Sequence, residues 1–195
     1  GRTCETKPLD ASVLGEERGR LRATSMAAPI PMPVTGADYK WMNLMTRTPL
    51  TSFPKIIKRV VQGVGGLAIK REYTAGGQAL AAGLFAGTID AGIPIWTRTK
   101  LVELIEEDGE VKGAILEQDG KRVTVKTRKG VVLAAGGFDH NMEMRRKYQS
   151  ETLKKDISLG AETNEGNAIV AAEKVGAGLR LMHEAWWFPS VTPLT

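Results

Sequence analysis

The stretch Gly-Val-Val-Leu-Ala-Ala-Gly-Gly-Phe at residues 130–138 constrains the fold of this chain more than any other feature. Its unbroken apolar run, with β-branched residues first, predicts a strand buried on both faces. Gly136 and Gly137 at the end of the run let another group approach the backbone closely, because glycine has no Cβ. In a doubly wound sheet, ligands bind outside the carboxyl ends of the strands. The end of this strand is therefore a candidate cofactor contact.

The residues around this strand predict a regular series of elements. Two Asp-Gly pairs separate β-branched runs, and this dipeptide is a strong hairpin signal. Gly92 and Gly176 are expected to end helices, and Asn164 or Thr163 to cap the last one. In chain order we predict a helix over 78–91, strands over 93–97, 99–106, 111–117, 122–127 and 131–135, and helices over 141–148 and 165–175.

The first 75 residues differ from the rest, because prolines and methionines are scattered through them. Prolines interrupt regular elements, so we expect no long helix or strand here, only short helices over 38–45 and 53–62. The Gly-Val-Gly-Gly sequence at 63–66 predicts a flexible turn. A long irregular stretch of this kind is functional or poorly ordered, or it wraps over a larger body.

Composition narrows the class of protein. With 195 residues and 42% hydrophobic residues, the chain can form a packed core, and we find no apolar run near the ~18 residues that a membrane span needs. The single cysteine, Cys4, excludes an internal disulfide and fits a cytoplasmic location. The net charge of +5 raises the question of nucleic-acid binding, but the charges are scattered without stacking aromatics, so we predict no nucleic-acid partner. Two histidines without a carboxylate cluster predict no metal site.

In chain order, these motifs resemble the flavoprotein family of fumarate reductases, succinate dehydrogenase flavoprotein subunits and 3-ketosteroid Δ1-dehydrogenases, over about residues 70–192. The resemblance implies an α/β fold with α+β character: part of a Rossmann-like FAD-binding domain with a three-stranded β-meander and an irregular N-terminal segment. It implies FAD as the cofactor of the full-length parent protein, which the fragment alone can lack.

The resemblance also implies which residues contact the cofactor. The Ala-Ala-Gly-Gly sequence at 134–137 matches a family strand that passes close to FAD, and Asn-Glu-Gly at 164–166 matches a motif whose carboxylate binds FAD. A strand of the family's meander pairs its backbone with adenine at the position of Leu101. The implied cofactor-binding residues are Leu101, Ala134, Ala135, Gly136, Gly137, Glu165 and Gly166.

The substrate side is implied by the last aromatic residues. Fumarate reductases carry His-Pro-Thr where this chain has Phe-Pro-Ser at 188–190, and a phenyl ring cannot bind a dicarboxylate. Trp186, Trp187 and Phe188 are instead similar to ketosteroid dehydrogenases, which implies a small apolar substrate of the steroid type and a Δ1-dehydrogenation with hydride transfer to flavin N5. In that family the acid–base residues are tyrosines. No tyrosine of this chain matches their motif, so the catalytic residues stay unassigned.

The family's Gly-x-Gly-x-x-Gly phosphate-binding motif does not occur in this sequence. We therefore expect an internal fragment, inactive alone, with an irregular segment at 1–75, the middle of the FAD-binding domain at 76–185 and the start of the substrate domain at 186–195. Its uncovered apolar surface predicts self-association. The alternatives are a fumarate reductase or succinate dehydrogenase-type flavoprotein of another substrate, or a non-catalytic structural fragment.

Overall fold

The computed structural model describes residues 4–22, 30–158 and 160–185. The chain divides into two compact units, Gly1–Thr97 and Arg98–Thr195. Among the described residues, no helix is long and apolar enough to cross a bilayer. The domain boundaries predicted after residues 75 and 185 stay a prediction.

The first unit has its core around α3 (Gly76–Asp90), the helix predicted over 78–91. The short strands β1 (Leu9–Asp10) and β2 (Tyr73–Thr74) pair antiparallel, and a 3-10 helix over Ala11–Arg20 follows β1. Gly92 follows α3 with a φ of +65°, which confirms its predicted place after the helix end. α3 packs against β1 and the 3-10 helix, burying Ala11, Leu14, Ala79 and Ala82.

Two further helices in this unit are α1 (Gly36–Asn43) and α2 (Pro49–Ala68). The N–H of Thr35 and its Oγ1 both donate to Asp38 Oδ2, at 2.9 and 2.8 Å, and this caps the start of α1. Arg59 Nε of α2 donates to the same oxygen at 2.7 Å. One carboxylate therefore ties α2 to the first turn of α1.

The length of α2 contradicts the sequence expectation. With 20 residues it is a long regular element within the first 75, and the predicted turn at 63–66 is helical. Gly63 and Gly66 lie against neighbouring chain: a Cβ at Gly63 would collide with the Pro31 carbonyl, and one at Gly66 would lie 2.8 Å from the Tyr73 ring. These glycines therefore allow close packing and do not form a turn.

The second unit begins with the predicted meander. β3 (Thr99–Glu107), β4 (Glu110–Gln118) and β5 (Lys121–Lys126) form an antiparallel sheet in the order β3-β4-β5, each strand end lying within one residue of its prediction. Both Asp-Gly turns have positive φ at both residues, as a type I′ turn requires. The helices α4 (Met142–Tyr148) and α5 (Asn167–Lys174) follow, and α5 packs against β3.

Three local predictions for the chain after α3 are wrong. Within the described residues the apolar run at 131–135 forms no strand, and Val132 is 93% exposed. A strand buried on both faces needs strand neighbours and covering helices. The meander strands pair with one another, so within the described residues the run at 131–135 has no strand neighbour. Residues 93–97 also form no strand, and Pro94 has no N–H for a ladder. The N-cap of α5 is Gly166, not Asn164 or Thr163.

Candidate functional site

The candidate site lies where the end of the apolar run meets the start of α5. We call it the glycine junction and define it as Gly136, Gly137, Asn164, Glu165 and Gly166. The Gly166 N–H donates to the Gly137 carbonyl oxygen at 3.0 Å, and the His140 N–H donates to the Asn164 carbonyl oxygen at 3.0 Å. The two segments that the sequence singled out for cofactor contact are thus joined by backbone hydrogen bonds.

Two glycines of the junction are required by the chain's own packing. Gly136 and Gly166 have φ of +76° and +79°, in the left-handed region that other residues rarely adopt. A Cβ at Gly136 would lie 3.0 Å from Asn164 Cγ and closer still to its Oδ1. A Cβ at Gly166 would lie 2.6 Å from Met144 Sδ and 2.9 Å from Phe138 Cβ. Both glycines therefore let the two segments approach each other.

Gly137 differs from its neighbours, because nothing in the surrounding chain crowds it. A Cβ there would meet only Asp139 Oδ1, at an ordinary 3.6 Å. Ala134 and Ala135 before it are exposed, so the backbone of this stretch is covered by nothing larger than a methyl group. Such a surface allows a flat group to come close to the backbone.

Glu165 presents an exposed carboxylate beside this surface. Its Oε2 accepts a hydrogen bond from Asn167 Nδ2 at 3.3 Å. Its N–H donates to the Thr163 carbonyl at 2.9 Å, so the backbone at Glu165 turns tightly just before α5. An ionised carboxylate only accepts hydrogen bonds, which suits it to bind hydroxyl groups.

Asn141 supports the junction, and sequence reasoning missed this role. Its Oδ1 accepts from the Met144 N–H at 3.0 Å, which caps α4, while its Nδ2 donates to the Glu165 carbonyl at 2.9 Å. Both ends of one carboxamide therefore connect α4 to Glu165. Asparagine at the start of a helix is typical of a cap, but no cap was predicted at Asn141, and nothing local indicated the second bond.

A charged cluster lies next to the junction and was also missed, since His140 reads from sequence as a surface or capping residue. His140 Nδ1 lies 2.6 Å from Asp156 Oδ2, and the buried Arg145 places Nη1 3.6 Å from Asp156 Oδ1. The hydrogen bond to Asp156 raises the pKa of His140 above its usual value. The Ser158 N–H and His140 lower the pKa of Asp156 below its usual value, and burial opposes them. This cluster holds Asp156 against the start of α4.

The remaining predicted site residues lie elsewhere. Leu101 is on β3, where it pairs with Leu116 beside a bulge, and α5 connects β3 with the junction. Trp186, Trp187 and Phe188 fall outside the described residues.

Comparison with known proteins identifies the family. A family model described as "FAD binding domain" matches residues 5–194. The chain belongs to this family. FAD is its cofactor, as predicted. The glycine junction fits that cofactor, because it offers an uncrowded backbone at Gly137 and an exposed carboxylate at Glu165.

Individual relatives support the same assignment of this FAD binding domain. The chain is 37% identical over 196 residues to a 3-oxosteroid 1-dehydrogenase of Mycolicibacterium smegmatis, and the match covers 98% of this chain and 34% of the relative. It is 31% identical over 136 residues to an NADH:fumarate oxidoreductase of Klebsiella pneumoniae, covering 67% of this chain and 15% of the relative. The chain thus spans 34% of the length of the steroid dehydrogenase.

A solved structure confirms the predicted fold class. The crystal structure of 3-ketosteroid Δ1-dehydrogenase from Sterolibacterium denitrificans, in complex with 1,4-androstadiene-3,17-dione, matches with a TM-score of 0.81 and 29% identity. The match covers 98% of this chain and 36% of that one. The predicted superfamily, with ketosteroid dehydrogenases and fumarate reductase-like relatives, is confirmed by the same set.

Proposed function

We propose that this chain forms one wall of the FAD site in a dehydrogenase of ketone-bearing, apolar ring substrates of the 3-ketosteroid type. The observation that carries the proposal is the glycine junction, in which two segments matched to FAD contacts share a backbone hydrogen bond. The steroid dehydrogenase relatives support the substrate class.

Each part of the wall has a role in this proposal. The backbone of residues 134–137 lies against the flavin, because only methyl groups or hydrogens separate it from a planar ring. The Glu165 carboxylate accepts hydrogen bonds from cofactor hydroxyl groups. The backbone of Leu101 pairs with adenine, since β3 is one of the two edge strands of the meander and its outer side is not used by β4.

Bound FAD supplies the acceptor for the hydride that leaves the carbon next to the α-carbon of the ketone. The residues of this chain bind and orient the cofactor and keep water from its covered face. Trp186, Trp187 and Phe188 line the substrate side, because aromatic rings suit a flat, apolar polycycle. The groups that move the substrate proton are not assigned to this chain.

A flavoprotein acting on an unsaturated dicarboxylate is the second candidate, and the match to the fumarate oxidoreductase favours it. Phe188 opposes it, because a phenyl ring offers no charge to a carboxylate. A non-catalytic structural piece is the third. Self-association and a cytoplasmic location stay predictions.

The test is to titrate the purified chain with FAD and follow quenching of flavin fluorescence. We expect Glu165→Gln to weaken FAD binding about tenfold, because a charge-assisted hydrogen bond contributes roughly 1.5 kcal/mol or more. The matched control is Glu162→Gln, which removes another exposed carboxylate close by in sequence and should leave binding unchanged. Equal weakening by both would contradict the role of Glu165, and no binding by the unmutated chain would favour the structural piece.

The substrate class is tested separately with the FAD-loaded dehydrogenase in which this chain forms one wall of the FAD site. We expect 1,4-androstadiene-3,17-dione to shift the visible flavin spectrum and fumarate to leave it unchanged. A response to fumarate alone would favour the dicarboxylate candidate.

A further inference from the structure

α2 turns its apolar side away from the unit on which it packs. Six large apolar residues recur along it at three- or four-residue spacing, which places them on one side of the helix. Each is at least 47% exposed, and Leu50 is 93% exposed. The six residues form what we call the α2 stripe: Leu50, Phe53, Ile57, Val61, Val64 and Leu67.

The opposite side of α2 makes the contacts within the unit. Ser52, Gly63 and Gly66 are its buried residues, and all three are small. A helix in a globular core normally does the reverse and buries its large apolar side chains. From Leu50 to Leu67 the stripe extends about 26 Å at 1.5 Å per residue. It is therefore a long, continuous apolar surface that the described residues leave uncovered.

The charged residues of α2 and of the chain on either side of it all have one sign. Residues 44–71 contain six basic residues and no acidic one. Arg59 is paired with Asp38, and Lys55 lies over the Trp41 ring at 3.1 Å, whereas Lys58 and Lys70 are exposed. An amphipathic helix with Phe and aliphatic residues on one side and lysines beside them is typical of helices that lie in a membrane interface.

We propose that the α2 stripe docks onto an anionic lipid surface, with α2 lying in the plane of the interface. The stripe enters the headgroup–acyl boundary, and Lys58 and Lys70 meet the lipid phosphates. A second copy of the chain fits less well, because it would bring two surfaces of the same positive sign together. Burial under other protein segments would leave Lys58 and Lys70 without acidic partners from residues 44–71, and an unpaired buried charge is costly.

The experiment is co-sedimentation of the full chain with vesicles of phosphatidylcholine, with or without phosphatidylserine. We expect binding to the phosphatidylserine vesicles that weakens as salt is added. Ile57→Glu/Val61→Glu should reduce that binding at least about tenfold, since two charges then enter the apolar layer. The matched control is Leu80→Glu/Leu84→Glu on α3, because these residues have the same spacing and nearly the same exposure, 53% and 66% against 55% and 63%. Both changes lower the net charge equally, so the control should bind like the unmutated chain.

Other outcomes would overturn the proposal. Equal loss in the α3 control would mean that any exposed apolar pair, or charge alone, causes binding. Equal binding to vesicles without phosphatidylserine would exclude the role of anionic lipid. An unmutated chain that ignores vesicles but sediments as a dimer, and becomes monomeric with Ile57→Glu/Val61→Glu, would make the stripe an interface between copies. Lys58→Gln/Lys70→Gln alters only exposed side chains and is expected to weaken binding to phosphatidylserine vesicles severalfold, so the test does not depend on one variant folding.

Discussion

Replacing Gly136 by alanine tests the packing of the glycine junction. The change places a Cβ on a residue with φ of +76°, which costs about 1 kcal/mol for an L-residue in the left-handed region. It also drives that Cβ into the Asn164 carboxamide, 3.0 Å from Cγ, and overpacking of this kind costs about 1–3 kcal/mol. We therefore expect Gly136→Ala to destabilise the second unit by about 2–4 kcal/mol.

Native-state hydrogen exchange is the suitable assay, because it reports on the two units separately through their own amides. Protection of the α5 amides should fall in Gly136→Ala, while protection in α3 should not change. The matched control is Gly137→Ala, whose Cβ has room and whose stability should change by no more than about 0.5 kcal/mol. If Gly136→Ala left α5 protection unchanged, or if both variants lost it equally, the packing described for the junction would be wrong.

Two further predictions concern the charged contacts of each unit. Asp38→Ala removes the cap on α1 and the acceptor for Arg59, so we expect the free energy of unfolding, measured in urea, to fall by about 2 kcal/mol. Asp38→Asn keeps an acceptor and should lose less stability. Equal losses in the two variants would contradict the role of the charge. Because folding raises the pKa of His140, its contribution to stability is complete below about pH 6.5 and is lost as the pH rises through the folded-state pKa. Hydrogen exchange at Asp156, Ser158 and Gly160 should therefore speed up over that range beyond its ordinary pH dependence. His140→Gln should remove this extra increase, and the same increase in the variant would exclude His140 as its cause.

Local signals predicted the meander well, because an Asp-Gly turn sets both the reversal of the chain and the register of its strands. The strand at 131–135 was predicted wrongly for a physical reason. Its apolar sequence matches an environment buried on both faces, and within the described residues no strand pairs with it. The helix predicted over 53–62 was too short, because proline and glycine were treated as helix breakers, whereas Gly63 and Gly66 lie in α2 and make tight contacts there.

The candidate site was predicted as two separate segments, and the structure joins them through the hydrogen bond between Gly137 and Gly166. The supporting contacts could not be predicted in the same way. Asn141 reaches Glu165 24 residues later, and His140 reaches Asp156 16 residues later, with no motif linking either pair. Such contacts depend on where α4 and α5 lie, and the hydrophobic periodicity of the sequence does not predict these positions.

The central claim is that the glycine junction is a wall of the FAD site. Titrating FAD into the ¹⁵N-labelled chain and following its amide signals tests this most directly, since even weak binding shifts the signals of contacting residues. We predict that the largest shifts fall on Gly136, Gly137, Glu165 and Gly166. Shifts concentrated in α1 and α2, with the four junction amides unmoved, would contradict the claim.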